Sequence, residues 1–158
     1  MIDLIPLEKF GKLRLAHFVP VRSDVTEFDN WEYMEDRWVG EGLGAFTEFL
    51  CLEEDPDTVR AICLDLGDLP TAVGESILAA VRLPLRAGMG DAEVRTTLGT
   101  PRGVQSFVPE QHTYEFRCGP DGGYEVSCTM HERAGLTYVT VLGPTPRRLA
   151  SEDLEAEA

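Results

Sequence analysis

The sequence predicts an α+β fold in which two short helices pack on one face of an antiparallel sheet, after a strand-rich N-terminal half. Three observations predict this class. Apolar and polar residues alternate in residues 114–118 and 124–131, as in strands with one covered face. Residues 72–82 carry apolar side chains at helical spacing. Residues 84–101 contain both the start and the stop signals of a second helix.

The second predicted helix is defined by its ends. Gly90 takes the N-cap position, and Asp91 and Glu93 place negative charge in the first turn, where the helix dipole favours it. Gly99 predicts a left-handed residue after the last turn, and Pro101 prevents continuation. The first helix is expected to end before a proline at position 84, because the residue preceding proline avoids helical backbone.

The C-terminal hairpins have a predicted register. Taking residues 119–123 as the loop places Phe116 opposite Val126, and Arg117 opposite Glu125 as a favourable cross-strand pair. A three-residue loop, with its glycine at position 135 in the left-handed conformation, then leads into a last strand.

The N-terminal half is predicted to contain a first strand in residues 10–21 and a hairpin formed by residues 45–53 and 58–66. Residues 26–38 fit a helix with an aromatic stripe, and they fit an extended segment almost equally well. Both alternatives stay open at this point.

Three parts are predicted along the chain, and they form either one compact domain or two small sub-units joined near residue 70. Residues 1–70 are the acidic, strand-rich part, and residues 71–146 are the helix–helix–sheet unit. Residues 147–158 are expected to be a flexible tail.

The charge of the chain is strongly negative and uneven. The net charge is −14, and residues 1–75 contain 17 acidic and 6 basic residues. Such a surface repels phosphate groups and anionic lipid, so we expect no nucleic-acid or membrane partner and favour a protein with a basic surface. The N-terminus lacks the pattern of a signal peptide, and a cytoplasmic location is expected.

No catalytic, metal or cofactor motif is predicted. The four cysteines form no zinc-binding pattern, and Cys118 and Cys128 lie about 13 Å apart in the predicted register. A disulfide needs less than about 7 Å, so free, buried thiols are expected. The three histidines are too scattered for a metal site, and the glycines of residues 40–44 lack phosphate-loop spacing. We therefore expect a protein that is not an enzyme.

Residues 27–41 are the predicted partner-binding segment, because they combine both tryptophans with many acidic side chains. Tryptophan and tyrosine are enriched at the centres of protein interfaces, and charge complementarity speeds association with a basic partner. The alternative is that the rings pack in the core. The predicted partner-binding residues are Trp31, Tyr33, Glu35, Asp36, Trp38 and Glu41.

The residues of the second predicted helix resemble those of a known protein family. The pattern Gly88-Met89, Glu93-Val94, Leu98-Gly99 and Pro101, followed by a hairpin-rich segment, resembles the SmpA/OmlA-like family, which includes a small lipoprotein of outer-membrane assembly and shares its fold with β-lactamase inhibitor proteins. The likeness covers residues 72–143. It implies two short helices on a small antiparallel sheet and a tendency to bind other proteins.

The function predicted from these observations is a non-enzymatic binding module of inhibitor or immunity-protein type, which uses an acidic aromatic surface to bind a basic protein. A small-ligand-binding protein or an enzyme is one alternative and would need a deep pocket with converging polar groups. A structural module, including a homodimer, is the other and would need an exposed apolar patch.

Overall fold

The computed structural model describes residues 3–14, 31–34, 37–40, 47–52, 58–69, 71–119 and 123–143, with the backbone alone for 31–34 and 37–40. Within these residues, the chain forms three helices and eight strands, and all the strands belong to one antiparallel sheet. The predicted α+β class is confirmed. None of the three described helices has the length and apolar composition that a membrane-crossing helix needs.

The helices are short and the sheet is wide. The helices are α1 (Leu7–Phe10), α2 (Thr71–Ala80) and α3 (Asp91–Leu98). The strands are β1 (Trp31–Met34), β2 (Arg37–Gly40), β3 (Glu48–Cys51), β4 (Val59–Asp65), β5 (Gly103–Gln105), β6 (Gln111–Cys118), β7 (Tyr124–His131) and β8 (Gly135–Leu142). Their order across the sheet is β1-β2-β3-β4-β8-β7-β6-β5.

Strands from both halves of the chain meet in the middle of this sheet. β4 pairs with β8, with Ile62 opposite Val141. The two predicted parts, residues 1–70 and 71–146, therefore share one set of backbone hydrogen bonds. The predicted tail, residues 147–158, lies outside the described residues.

The register predicted for the C-terminal hairpins is confirmed. Phe116 lies opposite Val126, and the guanidinium of Arg117 lies 3.0 Å from the carboxylate of Glu125 on the other face of the sheet. Gly135 has φ +72°, as the predicted turn requires. The predicted hairpin of residues 45–53 and 58–66 appears as β3 and β4, whose connection at residues 53–57 lies outside the described residues.

The core lies on one face of the sheet, where apolar residues of β6, β7 and β8 alternate with half-exposed polar residues. Val73 and Ile77 of α2 and Val94 of α3 belong to the same buried cluster as these strand residues. The two predicted helices thus cover one face, as expected. Phe10 of α1 closes the cluster at one end, with its ring centre 5.4 Å from that of Tyr124.

The start of α3 agrees with the sequence, and the ends of α3 and α2 agree only in part. Gly90 is the N-cap of α3, and Gly99 follows its last residue with the expected positive φ, +92°, although its ψ of −157° lies outside the left-handed helical region. α2 ends at Ala80, two residues before the predicted end at residue 82 and, as predicted, before Pro84. Arg82 there has φ +62°, and the N–H of Leu83 donates to the carbonyl oxygen of Leu78 at 2.9 Å.

Two expectations for the N-terminal half need correction. The strand predicted for residues 10–21 is wrong as far as residue 14: Phe10 ends α1, and the N–H of Gly11 donates to Leu7 O at 2.9 Å, which turns the chain. Within residues 26–38, the segments 31–34 and 37–38 are extended, so the helical alternative is wrong there. The aromatic residues of this segment fit the alternation of a strand as well as one face of a helix. Pairing with a neighbouring strand decides between the two in favour of the strand. Residues 15–30 lie outside the described residues.

Candidate functional site

The six predicted partner-binding residues fall on or next to one hairpin. Trp31 and Tyr33 belong to β1, and Trp38 belongs to β2. Glu35, Asp36 and Glu41 lie outside the described residues. The hairpin forms one end of the strand order, with β1 as the outermost strand of the described sheet.

The backbone register relates this hairpin to the rest of the sheet. Tyr33 is the Cα partner of Trp38, and Trp38 is in turn the Cα partner of Phe49 in β3. Trp31 instead pairs with Gly40. The structure therefore brings Tyr33 and Trp38 to the same level of the sheet and places Trp31 two residues further along the strand.

A polar cluster joins α3 to β6. The hydroxyl of Tyr114 donates to Oδ1 of Asp91 at 2.7 Å, and Nε2 of His112 lies 2.9 Å from the same oxygen. The guanidinium of Arg95 lies over the Tyr114 ring, 6.0 Å from its centre. Because a carboxylate only accepts hydrogen bonds, Nε2 of His112 carries the proton of its contact.

The cluster changes the acidity of two of its members. Desolvation raises the pKa of Asp91, but the hydrogen bonds from Tyr114 and His112 and the charges of His112 and Arg95 outweigh it and hold this pKa below its ordinary value. The hydrogen bond to Asp91 raises the pKa of Tyr114, and burial raises it further. The cluster therefore stabilises an ionised Asp91 and a neutral Tyr114, which hold the helix on the strand.

An apolar patch lies at the other end of the sheet. Val104 of β5 is 57% exposed, and Phe107 and Val108 in the turn after it are 86% and 50% exposed. We call these three residues the β5 patch. Apolar side chains clustered on a surface are typical of contact sites for other macromolecules.

The turn that carries the β5 patch is held by backbone and side-chain hydrogen bonds. Ser106 Oγ donates to the carbonyl oxygen of Gln111 at 3.1 Å. The carbonyl oxygen of Glu110 accepts from the N–H of Glu132 at 2.8 Å, which ties this turn to the one between β7 and β8. Glu110 has φ +69°, a backbone conformation uncommon for a side chain of its kind. Phe107 therefore lies on a turn whose backbone is held in place by hydrogen bonds.

A polar groove of about 370 Å³ lies over β6 and β7 on the face opposite the helices. Its side chains include the ion pair of Arg117 with Glu125, together with Arg102, Glu115 and Ser127. Among the described residues, no three His, Cys, Asp or Glu side chains are placed to hold a metal ion.

Neither the polar cluster nor the β5 patch is predicted from the sequence. For Asp91 the sequence indicates only an interaction with the helix dipole, because its two partners lie 21 and 23 residues away. The patch had a weak signal, since Phe107 and Val108 are consecutive apolar residues between two polar segments, directly before a proline. Comparison of the chain with known proteins finds no matching family model, curated protein or solved structure. The resemblance to the SmpA/OmlA-like family therefore stays a prediction.

Proposed function

We propose that the chain is a non-enzymatic protein-binding module of inhibitor or immunity-protein type, and that its partner has a basic surface. The observation that carries this proposal is the position of the aromatic, acidic segment at the edge of the sheet. Residues 1–75 contain 17 acidic and 6 basic residues, and the β1–β2 hairpin of this part forms one end of the described sheet.

An edge hairpin suits partner binding for two reasons. The outer strand of a sheet has backbone groups on one side that are open to pairing with another chain. The hairpin also contains Trp31, Tyr33 and Trp38, which are residue types enriched among those that contribute most to binding. Glu35, Asp36 and Glu41 add negative charge, which attracts a basic surface.

The proposal includes a cytoplasmic location without nucleic-acid or membrane partners. The net charge of −14 supports the exclusion of polyanionic surfaces. Four free cysteines, all of them buried, support a reducing compartment.

The test has two steps. Proteins captured from the native lysate are identified, and each candidate is purified and titrated against the chain by calorimetry. We expect one basic protein to bind, with an affinity that falls as salt rises from about 50 to 300 mM. The double variant Trp31→Ala/Trp38→Ala should lose binding while its circular dichroism stays native. A loss of the fold instead places the rings in the core and contradicts the proposal.

Two charge-reversal variants distinguish an effect of the acidic segment from an effect of the net charge of the protein. Glu35→Lys/Asp36→Lys/Glu41→Lys should weaken binding at least about tenfold, because close charge pairs across an interface stabilise complexes. The matched control changes three exposed acidic residues of other regions by the same amount, in the variant Asp68→Lys/Glu75→Lys/Glu132→Lys. Equal weakening by both variants would show that binding follows net charge alone, and would overturn the assignment of this segment.

A further inference from the structure

His131, the last residue of β7, caps the turn that connects β7 to β8. The backbone N–H of Arg133 donates to Nδ1 of the His131 ring at 3.1 Å, and the N–H of Ala134 donates to the same nitrogen at 3.2 Å. A ring nitrogen that accepts hydrogen bonds carries no proton, so the ring that caps the turn is neutral and holds its proton on Nε2. The structure therefore fixes both the tautomer and the charge state in which His131 can cap this turn.

The capped turn is a junction of three parts of the chain. The N–H of Glu132 donates to the carbonyl oxygen of Glu110 at 2.8 Å, which ties the turn to the residues just before β6. The N–H of Leu136 donates to the carbonyl oxygen of Met89 at 2.9 Å, which ties it to the connection between α2 and α3. A change in the cap at His131 therefore acts where both sheet turns meet the helices.

The charged groups around the ring come from its own turn and from the residue before β6. Oε2 of Glu110 lies 3.7 Å from Nε2 of His131, and the guanidinium of Arg133 lies 3.9 Å from the other oxygen of that carboxylate. Glu132 is the next residue along the chain. Within the described part of the chain, the other elements meet this turn with uncharged residues, namely Gln111 opposite His131 in β6, Gly135 opposite it in β8, and Gly88 and Met89 between α2 and α3.

We propose that His131 is a pH-sensitive switch, which caps the β7–β8 turn when neutral and releases it when protonated. Protonation places a hydrogen on Nδ1, which then faces two N–H donors and can accept from neither. The N–H groups of Arg133 and Ala134 turn to water, and the charged ring gains the carboxylate of Glu110 as its partner. Histidine is the side chain whose charge ordinarily changes between about pH 5 and 8, so mild acidification is the signal.

His112 provides a matched control, because its hydrogen bond responds differently to acid. Nε2 of His112 donates to Oδ1 of Asp91 at 2.9 Å, and a protonated ring keeps this donor. Protonation of His112 therefore leaves its bond to the helix intact, whereas protonation of His131 removes both bonds to the turn.

The experiment is NMR spectroscopy of the full chain between about pH 8 and pH 5, the range in which histidines ordinarily change charge. At the upper end, the ¹⁵N shifts of the His131 ring should show the tautomer with its proton on Nε2. On acidification, the amide signals of Arg133 and Ala134 should move along the same titration curve as the ring. Their exchange with water, corrected for the pH dependence of an unstructured amide, should accelerate about three- to tenfold, as expected for losing one hydrogen bond each.

Variants of both histidines separate the loss of the cap from general effects of acid. His131→Asn keeps a side-chain oxygen that can accept from the backbone two residues further on, but it has no ring to titrate. The amides of its turn should therefore exchange slowly at both ends of the pH range. His131→Ala removes the acceptor, so these amides should exchange rapidly at both ends. His112→Asn should keep the pH response of the wild-type turn.

Three results would overturn the proposal. A neutral His131 ring with its proton on Nδ1 could accept neither hydrogen bond. Amides of Arg133 and Ala134 that exchange equally at both ends of the pH range in the wild type would show that the cap does not respond to acid. A pH response of the His131→Asn turn as large as that of the wild type would assign the change to another group.

Discussion

The hydroxyl of Tyr114 in β6 donates a hydrogen bond of 2.7 Å to Oδ1 of Asp91, the first residue of α3. This contact joins the helix start to the sheet, and Asp91 performs two tasks with one carboxylate. Its charge lies at the positive end of the helix dipole, and its oxygen accepts a hydrogen bond from a buried tyrosine.

Replacing Asp91 by asparagine should change the pH dependence of stability. Because the pKa of Asp91 is held below its ordinary value of 3.8, its contribution is fully present above about pH 5 and is lost as pH falls through the lower, folded value. Asp91→Asn should lower the free energy of unfolding at pH 7, and the difference from wild type should shrink below pH 4. Urea denaturation at pH 7, 5, 4 and 3 measures this.

The control for this prediction is Glu93→Gln, in the same helical turn. Glu93 forms an exposed ion pair with Arg86, and such pairs contribute about 0–1 kcal/mol. We expect a smaller loss at pH 7. A difference between wild type and Asp91→Asn that stays constant from pH 7 to 3 would contradict the role assigned to the carboxylate.

Gly135 should tolerate alanine much less well than Gly99. Both have positive φ, +72° and +92°, which strains an alanine by about 1–3 kcal/mol at either position. A Cβ at Gly135 would also lie 2.5 Å from the carbonyl oxygen of Gly88, whereas a Cβ at Gly99 meets nothing within 4 Å. Denaturation should show a loss for Gly135→Ala that exceeds that of Gly99→Ala by about 1–3 kcal/mol. Equal losses would mean that the turn moves away from Gly88 without penalty.

The native protein should react slowly with thiol reagents. All four cysteines are buried, and burial raises the pKa of Cys128 to about 12, so its thiol stays neutral at pH 8. An aromatic disulfide reagent at pH 8 should release about four equivalents only after denaturant is added, because only the unfolded chain exposes the thiols. A rapid equivalent in the native state would show that one cysteine is accessible.

The elements that the sequence predicts correctly are those specified by residues close to one another along the chain. The N-cap of α3 at Gly90, the positive φ of Gly99 and the register of Phe116 with Val126 depend on residues close together in sequence, and all three agree with the structure. The end of α2 differs by two residues from the predicted one, because Arg82, rather than a glycine, takes the positive φ there. β5 was missed because three residues are too few to show an alternating pattern.

The functional regions were harder to predict because their parts are distant in sequence or depend on exposure. Nothing near Asp91 indicates that Tyr114 and His112 will reach it. Likewise, the exposure of Phe107 depends on how its turn lies against Glu132, which a pattern of apolar residues does not report.

The pairing of β4 with β8 has a consequence for how the chain is made. Ile62 and Val141 are adjacent in the sheet, so the central strand pair can form only when the ribosome has released the last strand. At about 5–20 residues per second, β4 waits roughly 4–16 seconds after its own synthesis. During that interval the apolar residues of β4 lack their final neighbour, and one edge of this strand stays unpaired until β8 has been made.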